Sequence, residues 1–238
     1  MSADLTDFHS HILPGIDDGS ETVEESIQML QAEAQQGVCR VVATPHFYPR
    51  YDNPDRFLRR REAAANRLQE ELAKHTGLPE IILGAEVYYF RGMSESDYLN
   101  QLTIGQKGCI LIEMPPAPWP DEIFRELEDI WRLRGLLPVV AHIDRYIGPL
   151  RTFGIPKRLE QTPALVQANG DFFLEHRTAS LALRLLREDR IHLLGSDCHN
   201  MGSRSPNLGD AARRISQTLG WSALDRIERY VSKSLDTV

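Results

Sequence analysis

The chain has 238 residues, of which 42% are hydrophobic and 26% are charged. This composition is typical of a globular protein with a full hydrophobic core, and it excludes the disordered and fibrous classes. The formal net charge is −7, whereas a protein whose main task is to bind nucleic acid favours a basic surface. We therefore expect no nucleic-acid partner.

The N-terminal segment and the cysteines indicate where the protein works. The first residues, MSADLTDFHSHIL, have no basic segment followed by an apolar run, so they do not predict a signal peptide. No stretch approaches the roughly 20 apolar residues of a membrane helix, so we expect no membrane insertion. The three cysteines form no CxxC pair, which predicts reduced thiols and a cytoplasmic protein.

Short runs rich in Val, Ile and Leu alternate along the chain with longer amphipathic stretches. The short runs predict buried strands at Leu5–Phe8, Arg40–Ala43, Ile81–Ala85, Cys109–Ile112, Pro138–Ala141, Asp171–Leu174 and Ile191–Gly195. The longer stretches predict helices at Thr22–Gln36, Asp55–His75, Asp121–Arg134, Ile155–Ala168, Thr178–Asp189, Asn207–Leu219 and Ser222–Ser234. The tract at 46–55 and the Pro-rich segment at 114–120 predict loops.

This alternation predicts an α/β fold with a parallel sheet, because each helix returns the chain to the start of the next strand. The length of the chain and the number of units favour a closed barrel over an open sheet. The predicted fold is therefore a distorted, TIM-like (β/α)7 barrel in a single domain that spans residues 1–238.

Imidazole and carboxylate side chains follow six of the predicted strands. In chain order they are His9, His11, His46, Glu86, Glu113, His142, Asp197 and His199. The carboxyl ends of parallel barrel strands meet at one mouth, so we expect these side chains to share one site. The alternation of side chains along a strand also places both imidazoles of an HxH pair on the same side.

Such a cluster predicts bound divalent cations. Clustered carboxylates repel each other, and buried charges are costly unless they are neutralised. Nitrogen and oxygen donors without cysteine suit Mn, Fe, Co or Zn. The donors are too many for one ion with four to six ligands, so two or three ions are expected. Paired metals of this kind suit phosphate-ester hydrolysis.

Six segments of the chain carry a resemblance to a known family. They are FHSHILPGIDDGSETVEES, ATPHFYP, GAEVYY, LIEMP, AHIDRY and GSDCHN. They resemble the polymerase and histidinol phosphatase (PHP) superfamily, and most closely its bacterial manganese-dependent protein-tyrosine phosphatases from capsule and exopolysaccharide loci. The resemblance covers almost the whole chain and implies the PHP fold, with three metal ions that are usually manganese.

The resemblance also implies roles for individual residues. The implied ligands are His9, His11, Glu86 and Asp197 for the first ion, Glu86, Glu113 and His142 for the second, and His46, His199 and Asp18 for the third. Asp18 is favoured over its neighbour Asp17. Arg145 and Arg204 resemble the phosphate-binding arginines of this branch, and a guanidinium group matches phosphate bidentately.

The expected reaction is direct hydrolysis of a phosphomonoester. A hydroxide that bridges two metals would attack phosphorus in line, while the metals and Arg145 and Arg204 neutralise the phosphoryl oxygens. A metal-bound water or Asp18 would protonate the leaving phenolate. The resemblance implies a phosphotyrosine protein as substrate, expected to be an autophosphorylating, membrane-associated tyrosine kinase of polysaccharide export.

The segment DCHNMGSRS offers a second mechanism. Cys198, Arg204 and Ser205 have the C-x5-R-S spacing of cysteine-dependent tyrosine phosphatases, in which a thiolate attacks phosphorus. This interpretation leaves the other ligand-type residues unexplained. Cys198 also lies between two expected ligands, so its side chain should point away from the site.

Two further alternatives share the metal site. The substrate could be a small molecule such as histidinol phosphate. The shape of the loops at 46–55 and 114–120 would decide between a small molecule and a protein substrate. The aromatic residues Phe47, Tyr48, Tyr51 and Trp119 in those loops could stack on a phenyl phosphate, although such residues more often pack locally. A metal-binding regulatory scaffold would bind metal without turnover, and the two arginines argue against it.

Overall fold

The computed structural model describes residues 4–105 and 108–235. Within these ranges the strands are β1 (Leu5–Ser10), β2 (Val38–Ala43), β3 (His46–Phe47), β4 (Glu80–Leu83), β5 (Glu86–Tyr88), β6 (Cys109–Glu113), β7 (Leu137–Val140), β8 (Leu165–Asn169) and β9 (Leu193–Gly195). The α-helices are α1 (Val23–Gln35), α2 (Pro54–Leu72), α3 (Asp121–Arg134), α4 (Ile155–Leu159), α5 (Gly170–Leu174), α6 (Ala179–Arg187), α7 (Leu208–Leu219) and α8 (Trp221–Leu235).

Local sequence signals explain where the longer helices begin and end. The Thr22 side chain accepts a hydrogen bond from the backbone N–H of Glu25 at 3.2 Å and caps α1. Asn53 caps α2, and Pro54 occupies its first turn, where a missing N–H is tolerated. Helix α3 ends at Gly135, whose φ of 66° is a left-handed conformation that favours glycine.

The strands form a parallel sheet that curls into a distorted barrel. Strands β1, β2 and β4 form one part, and the order of the other is β3-β5-β6-β7-β8-β9. Strands β3 and β5 continue β2 and β4 after short breaks. Pairing continues across these breaks, because the backbone N–H of Gly84 donates to Ala43 O at 2.9 Å and that of Glu86 to Pro45 O at 3.1 Å.

The two outer edges of the sheet meet at β1 and the end of β9. The backbone N–H of Asp197 donates to His9 O at 2.8 Å, and that of His11 donates to Cys198 O at 2.9 Å. Gly195 permits this approach, since a Cβ at its position would lie only 2.6 Å from the Cβ of His9. The predicted barrel of parallel strands is confirmed.

One strand and one helix were predicted wrongly. The segment Asp171–Leu174, predicted as the sixth strand, belongs to helix α5, while the second half of the predicted helix Ile155–Ala168 forms strand β8. Residues 165–169 fill the gap between β7 and β9, where Val139 pairs with Leu165 and Gln167 with Leu193. Short apolar runs fit a buried strand and a buried helix equally well, and pairing decides between them.

The remaining differences are smaller. Strand β2 begins at Val38 instead of Arg40, and β9 begins at Leu193 instead of Ile191. The predicted loop at 46–55 contains strand β3 and the first turn of α2. The Pro-rich segment at 114–120 is a loop, as predicted. Among the described residues, no helix is both long enough and apolar enough to cross a bilayer.

Candidate metal centre

The side chains predicted from the six strand ends converge at one mouth of the barrel. Those that come together there are His9, His11, Asp18, His46, Glu86, Glu113, His142, Asp197 and His199. Most of them are buried, whereas the Asp18 side chain is 66% exposed at the outer edge of the cluster. We call this set of nine side chains the metal rim.

The innermost donors surround a common point. The Nε2 atoms of His9 and His11 lie 3.2 Å apart, and they lie 3.3 Å and 3.4 Å from Oε2 of Glu86. The same nitrogens lie 3.5 Å and 3.4 Å from Oδ1 of Asp197. These separations match pairs of ligand atoms that are each about 2.1 Å from one ion. These are the four residues that the resemblance implied for the first ion.

Glu86 connects this group to a second one. Its Oε1 lies 2.7 Å from Nε2 of His142, and its Oε2 lies 2.9 Å from Nδ1 of His46. Glu113 stands 3.9 Å from each of these two imidazoles. The two oxygens of Glu86 therefore face different donor groups, as a bridging carboxylate requires. The expected set of Glu86, Glu113 and His142 is brought together, with His46 beside it.

A third group lies toward the exposed side of the rim. Oδ1 of Asp18 is 3.5 Å from Nε2 of His46 and 3.5 Å from Nε2 of His199. The His11 ring stands next to His199, with ring centroids 3.9 Å apart. The expected set of His46, His199 and Asp18 is thus also brought together, with His11 shared between this group and the first.

Several donor atoms in the rim lack the hydrogen bonds that buried polar atoms normally make. Within the described part of the chain, the buried rim atoms without such a partner include Oε2 of Glu86, Oδ1 of Asp197, Oε2 of Glu113 and Nε2 of His199. A buried polar atom with no partner is costly unless a bound ligand satisfies it. The unpartnered atoms all belong to metal-binding residue types, so the rim fits divalent cations.

Three rim imidazoles are fixed in the orientation that a metal ligand needs. Nδ1 of His11 lies 2.8 Å from Oδ2 of Asp17, and Nδ1 of His199 lies 2.9 Å from the carbonyl oxygen of Asp197. Nδ1 of His9 lies 3.2 Å from Oε1 of Gln167. Each partner is an acceptor, so Nδ1 carries the proton and Nε2 offers a lone pair to the common point.

Gln167 and Asn169 on β8 are hydrogen-bonded to rim residues and hold them in place. The sequence analysis identified neither residue. Oε1 of Gln167 accepts the backbone N–H of His142 at 2.6 Å as well as the His9 ring, and its Nε2 donates to Asn169 Oδ1 at 3.0 Å. Asn169 Nδ2 donates to Oδ2 of Asp197 at 3.1 Å. The polar residues at alternate positions of LVQAN could have indicated two side chains on the same face of a strand. This signal was lost because the segment was predicted to be helical.

The two adjacent aspartates of the IDDG segment have different surroundings. Asp17 accepts hydrogen bonds from the His11 ring and from the backbone N–H groups of His46 and Gly19. Burial would raise the pKa of Asp17, but the His11 ring and these N–H groups lower it to about 2. Asp17 therefore orients a rim imidazole, whereas Asp18 points its carboxylate at two of them.

Two rim residues have strained backbones. His142 has a φ of 29° and Asp197 a φ of 54°, in the left-handed region that residues other than glycine rarely adopt. Both lie two residues after the end of a barrel strand, and both turn donor atoms toward Glu86 or the inner histidines. Such strain persists only where the surrounding structure enforces it, and it is concentrated at functional sites.

The charges of the rim are strongly coupled. Burial raises the pKa of Glu86, but His9 and the other histidines around it outweigh burial and hold that pKa well below its usual range. Burial lowers the pKa of His9, yet the charges of Glu86 and Asp197 outweigh it and the net shift is upward. The carboxylates thus attract protons onto the imidazoles wherever no cation neutralises them. A bound cation would displace these protons.

Both predicted phosphate-binding arginines lie at the rim. Nη2 of Arg145 donates to Oδ2 of Asp197 at 2.6 Å, and Nη2 of Arg204 lies 3.0 Å from Oδ1 of the same carboxylate. Their side chains are 39% and 36% exposed, so each guanidinium also faces the open mouth. A polar pocket of about 390 Å³ contains both arginines and Asp197. The geometry allows both groups to contact an anion above the rim.

Cys198 is not placed to act as a nucleophile. Its side chain is fully buried, and its Sγ lies 3.9 Å from Oε1 of Glu33 on the core side of β9. Burial and the nearby carboxylates of Glu33 and Asp7 raise the pKa of the Cys198 thiol well above its ordinary value. A nucleophilic cysteine needs access and a lowered pKa, so the geometry argues against the C-x5-R-S alternative.

The four aromatic residues proposed for substrate stacking divide into two pairs. Phe47 is fully buried against Phe57, and Trp119 is 8% exposed and packs on Tyr146. Tyr48 and Tyr51 are 37% and 81% exposed, and the Tyr48 ring stacks on His46 with centroids 5.1 Å apart. Of these four residues, only the second pair is exposed enough to contact a ligand.

The chain is similar to known proteins over most of its length. A family model described as capsular polysaccharide synthesis, CpsB/CapC, matches residues 5–235. The chain is 30% identical over 227 residues to the tyrosine-protein phosphatase CpsB of Streptococcus agalactiae, with 91% of each chain covered. It is 28% identical over 225 residues to the tyrosine-protein phosphatase YwqE of Bacillus subtilis, with 91% of this chain and 85% of the relative covered.

A solved structure is similar over nearly the whole chain. It comes from work on YwqE of Bacillus subtilis and CpsB of Streptococcus pneumoniae, described as metal-dependent tyrosine phosphatases. The TM-score is 0.82 at 24% identity, and the match covers 98% of this chain and 96% of that chain. The match establishes the fold, and the predicted resemblance to bacterial tyrosine phosphatases of capsule loci is confirmed.

Proposed function

Because the chain belongs to the CpsB/CapC family of capsular polysaccharide synthesis proteins, we propose that it is a metal-dependent protein-tyrosine phosphatase. Its reaction is the hydrolysis of a phosphomonoester. The relatives named above are tyrosine-protein phosphatases. We propose one phosphatase domain that spans residues 1–238.

One observation carries the proposal. Nitrogen and oxygen donors from six strand ends face common points, and several of their buried atoms lack hydrogen-bond partners, while Arg145 and Arg204 lie beside them with their guanidinium groups turned to the mouth. Cations held by the rim donors and the guanidinium groups at the open mouth would together form a site for a dianionic group such as a phosphate monoester.

We propose that the rim holds three ions, most suitably Mn²⁺, with Fe, Co and Zn as alternatives because the donors are imidazoles and carboxylates. The proposed ligands are His9, His11, Glu86 and Asp197 for the first ion, Glu86, Glu113 and His142 for the second, and His46, His199 and Asp18 for the third. When bound, such ions polarise phosphoryl oxygens and lower the pKa of a water that serves as nucleophile.

The side chains around the ions have separate tasks. Arg145 and Arg204 bind the phosphoryl oxygens and neutralise the charge that develops on them. Since both arginines contact Asp197, they exchange this carboxylate for the phosphate when substrate enters. The proton for the leaving phenolate comes from a water at the exposed edge, because Asp18 as an ion ligand is ionised and has no proton to give. The exposed ring of Tyr48 beside His46 offers a face on which a tyrosyl ring stacks.

We propose that the substrate is a phosphotyrosine protein, namely an autophosphorylating, membrane-associated tyrosine kinase of capsule or exopolysaccharide export. Support comes from the description of the family, which concerns capsular polysaccharide synthesis. We also propose a cytoplasmic location. The cysteines Cys39, Cys109 and Cys198 are free thiols in the described structure, as a reducing compartment favours.

One assay tests the proposed function. Protein stripped with EDTA is given Mn, Zn, Fe or Co separately and is assayed with p-nitrophenyl phosphate, a phosphotyrosine peptide and histidinol phosphate. We expect no turnover before metal is added, and afterwards turnover of the phosphotyrosine peptide in preference to histidinol phosphate. Preference for histidinol phosphate would favour a small-molecule phosphatase, and metal uptake without any turnover would favour a regulatory scaffold.

A further inference from the structure

A cleft lined with aromatic residues opens beside the metal rim. Its volume is about 550 Å³, which lies within the range of ligand pockets. Its walls include Tyr48 and Tyr51 from the loop after β3, Tyr88 and Phe90 from β5 and the loop after it, and Pro115. We call this feature the aromatic cleft.

The cleft begins where the rim ends. The Tyr48 ring stacks on the rim residue His46 at 5.1 Å on one side and lies 5.8 Å from the Tyr88 ring on the other. Tyr88 is the register partner of Glu113, another rim residue. A tyrosyl ring whose phosphate lies at the rim therefore has Tyr48 beside it, and the residues attached to it extend into the cleft.

Two arginines supply the charge of the cleft. Arg50 and Arg91 line it and are exposed, and no acidic residue contributes to its described lining. Neither guanidinium forms an ion pair with any residue in the ranges 4–105 and 108–235, whereas the exposed Arg56, Arg125 and Arg132 on the helices each pair with a carboxylate. The cleft is thus a basic patch on a chain of net charge −7.

Both walls of the cleft are held in place before any ligand binds. In the loop that carries Arg50, the backbone N–H of Asp52 donates to Tyr48 O at 3.0 Å, and the Asp52 carboxylate binds Arg56 at 2.9 Å. In the loop that carries Arg91, the backbone N–H of Gly92 donates to Glu126 on α3 at 3.0 Å. A preformed cleft loses little entropy when a flexible peptide binds in it.

We propose that the aromatic cleft binds the peptide segment next to the phosphotyrosine and that Arg50 and Arg91 select acidic side chains in that segment. The inference rests on the proposed phosphatase function and extends it to the choice of sequence. The exposed rings contact the peptide without regard to sequence, whereas the two free guanidinium groups favour Asp and Glu by charge complementarity. The enzyme would then act best on phosphotyrosines in acidic sequence.

Two phosphotyrosine peptides that differ only in charge test this inference. One has Glu on both sides of the phosphotyrosine and the other has Gln at the same positions. They are assayed with the metal-loaded wild type, with the double variant Arg50→Gln, Arg91→Gln, and with the control Arg214→Gln, whose exposed arginine lies on α7 outside the cleft. All rates are normalised to those with p-nitrophenyl phosphate, which has no flanking residues.

We expect kcat/KM of the wild type and of the control to be roughly three- to tenfold higher for the Glu peptide, as two exposed charge pairs provide. The preference should shrink at high salt, because exposed charges are screened. The double variant should turn over both peptides equally. Equal rates in the wild type, or an unchanged preference in the double variant, would overturn the inference while leaving the phosphatase function intact. No turnover of any phosphate ester by metal-loaded wild type would instead refute the function itself.

Discussion

The metal rim and the aromatic cleft share one mouth of the barrel but are built in opposite ways. In the rim, His9, His11 and His142 are fully buried, and acceptors or strained backbone fix their directions. In the cleft, Tyr48 and Tyr51 are 37% and 81% exposed. The rim is therefore suited to chemistry that tolerates no displacement, and the cleft to contacts that vary with the peptide. Substitutions in the rim should stop turnover, and substitutions in the cleft should change only how tightly and how selectively peptide substrates bind.

The largest expected effect is that of removing one rim imidazole. His142→Ala should abolish turnover of p-nitrophenyl phosphate, because the two oxygens of Glu86 then no longer face two donor groups. Circular dichroism should show an intact fold. The matched control is His192→Ala, since His192 is a largely buried histidine that packs on Tyr230 away from the rim. Undiminished turnover in the His142 variant would show that the reaction does not need this rim imidazole.

Removal of a guanidinium group above the rim should have the next largest effect. Arg204→Gln should lower kcat by about 10²- to 10³-fold, the usual cost of one lost donor to a developing negative charge. Bound metal, measured by mass spectrometry, should not decrease, because the arginine only competes with the cation for Asp197. Arg213→Gln, at an exposed ion pair on α7, is the control. A variant that loses its metal together with its activity would assign Arg204 a structural role.

The support beneath the rim should affect the binding of metal before it affects the reaction. Gln167→Leu removes the acceptor of the His9 ring and of the His142 backbone N–H. We expect Mn²⁺ to bind about 10- to 100-fold more weakly, as is typical when such outer partners are lost. Titration calorimetry measures this change directly, with the exposed Gln161→Leu as control. An unaltered dissociation constant for Mn²⁺ would show that the rim side chains keep their orientation without the hydrogen bonds from Gln167.

A substitution in the aromatic cleft should have a smaller effect than one at the rim, and it should weaken substrate binding rather than slow the reaction. Tyr48→Ala should raise KM for a phosphotyrosine peptide by about two- to tenfold, because one aromatic stack is worth about 0.5–1.5 kcal/mol. The metal content should stay the same. Tyr48→Phe keeps the ring and should behave as wild type. A change in kcat as large as that of the Arg204 variant would assign Tyr48 a role in the reaction rather than in peptide binding.

The smallest expected effect concerns Cys198. Iodoacetamide should leave activity unchanged, because the thiol is fully buried and burial raises its pKa well above the ordinary value. Cys198→Ala should likewise keep its turnover. A loss of activity on alkylation, with the metal retained, would revive the cysteine mechanism.

The sequence predicted the rim better than the rest of the mouth, for a physical reason. Ligand-type residues directly after apolar runs need only the topology of a parallel barrel to bring them together. The wrongly predicted strand at Asp171–Leu174 did not affect the prediction of the rim ligands, because no predicted ligand followed it. It did hide Gln167 and Asn169, which become visible as rim supports only once β8 pairs with β7 and β9.

The cleft could not be predicted, because its walls come from separate loops. Nothing in the sequence shows that Phe47 is buried while Tyr48 is exposed, since that depends on how β3 pairs with β5. Nor does spacing distinguish Asp17, which holds the His11 ring, from Asp18, which faces two imidazoles. Such distinctions depend on which side chains meet in three dimensions.

Anomalous diffraction from crystals grown with Mn²⁺ shows directly whether the rim binds metal. We expect Mn²⁺ peaks at the rim, one of them in contact with His9, His11, Glu86 and Asp197. We also expect that Glu86→Gln, which weakens the carboxylate shared by two groups, loses these peaks in an otherwise unchanged fold. Crystals of active protein with no anomalous peak at the rim, or with the metal bound elsewhere, would show that the rim is not the metal site.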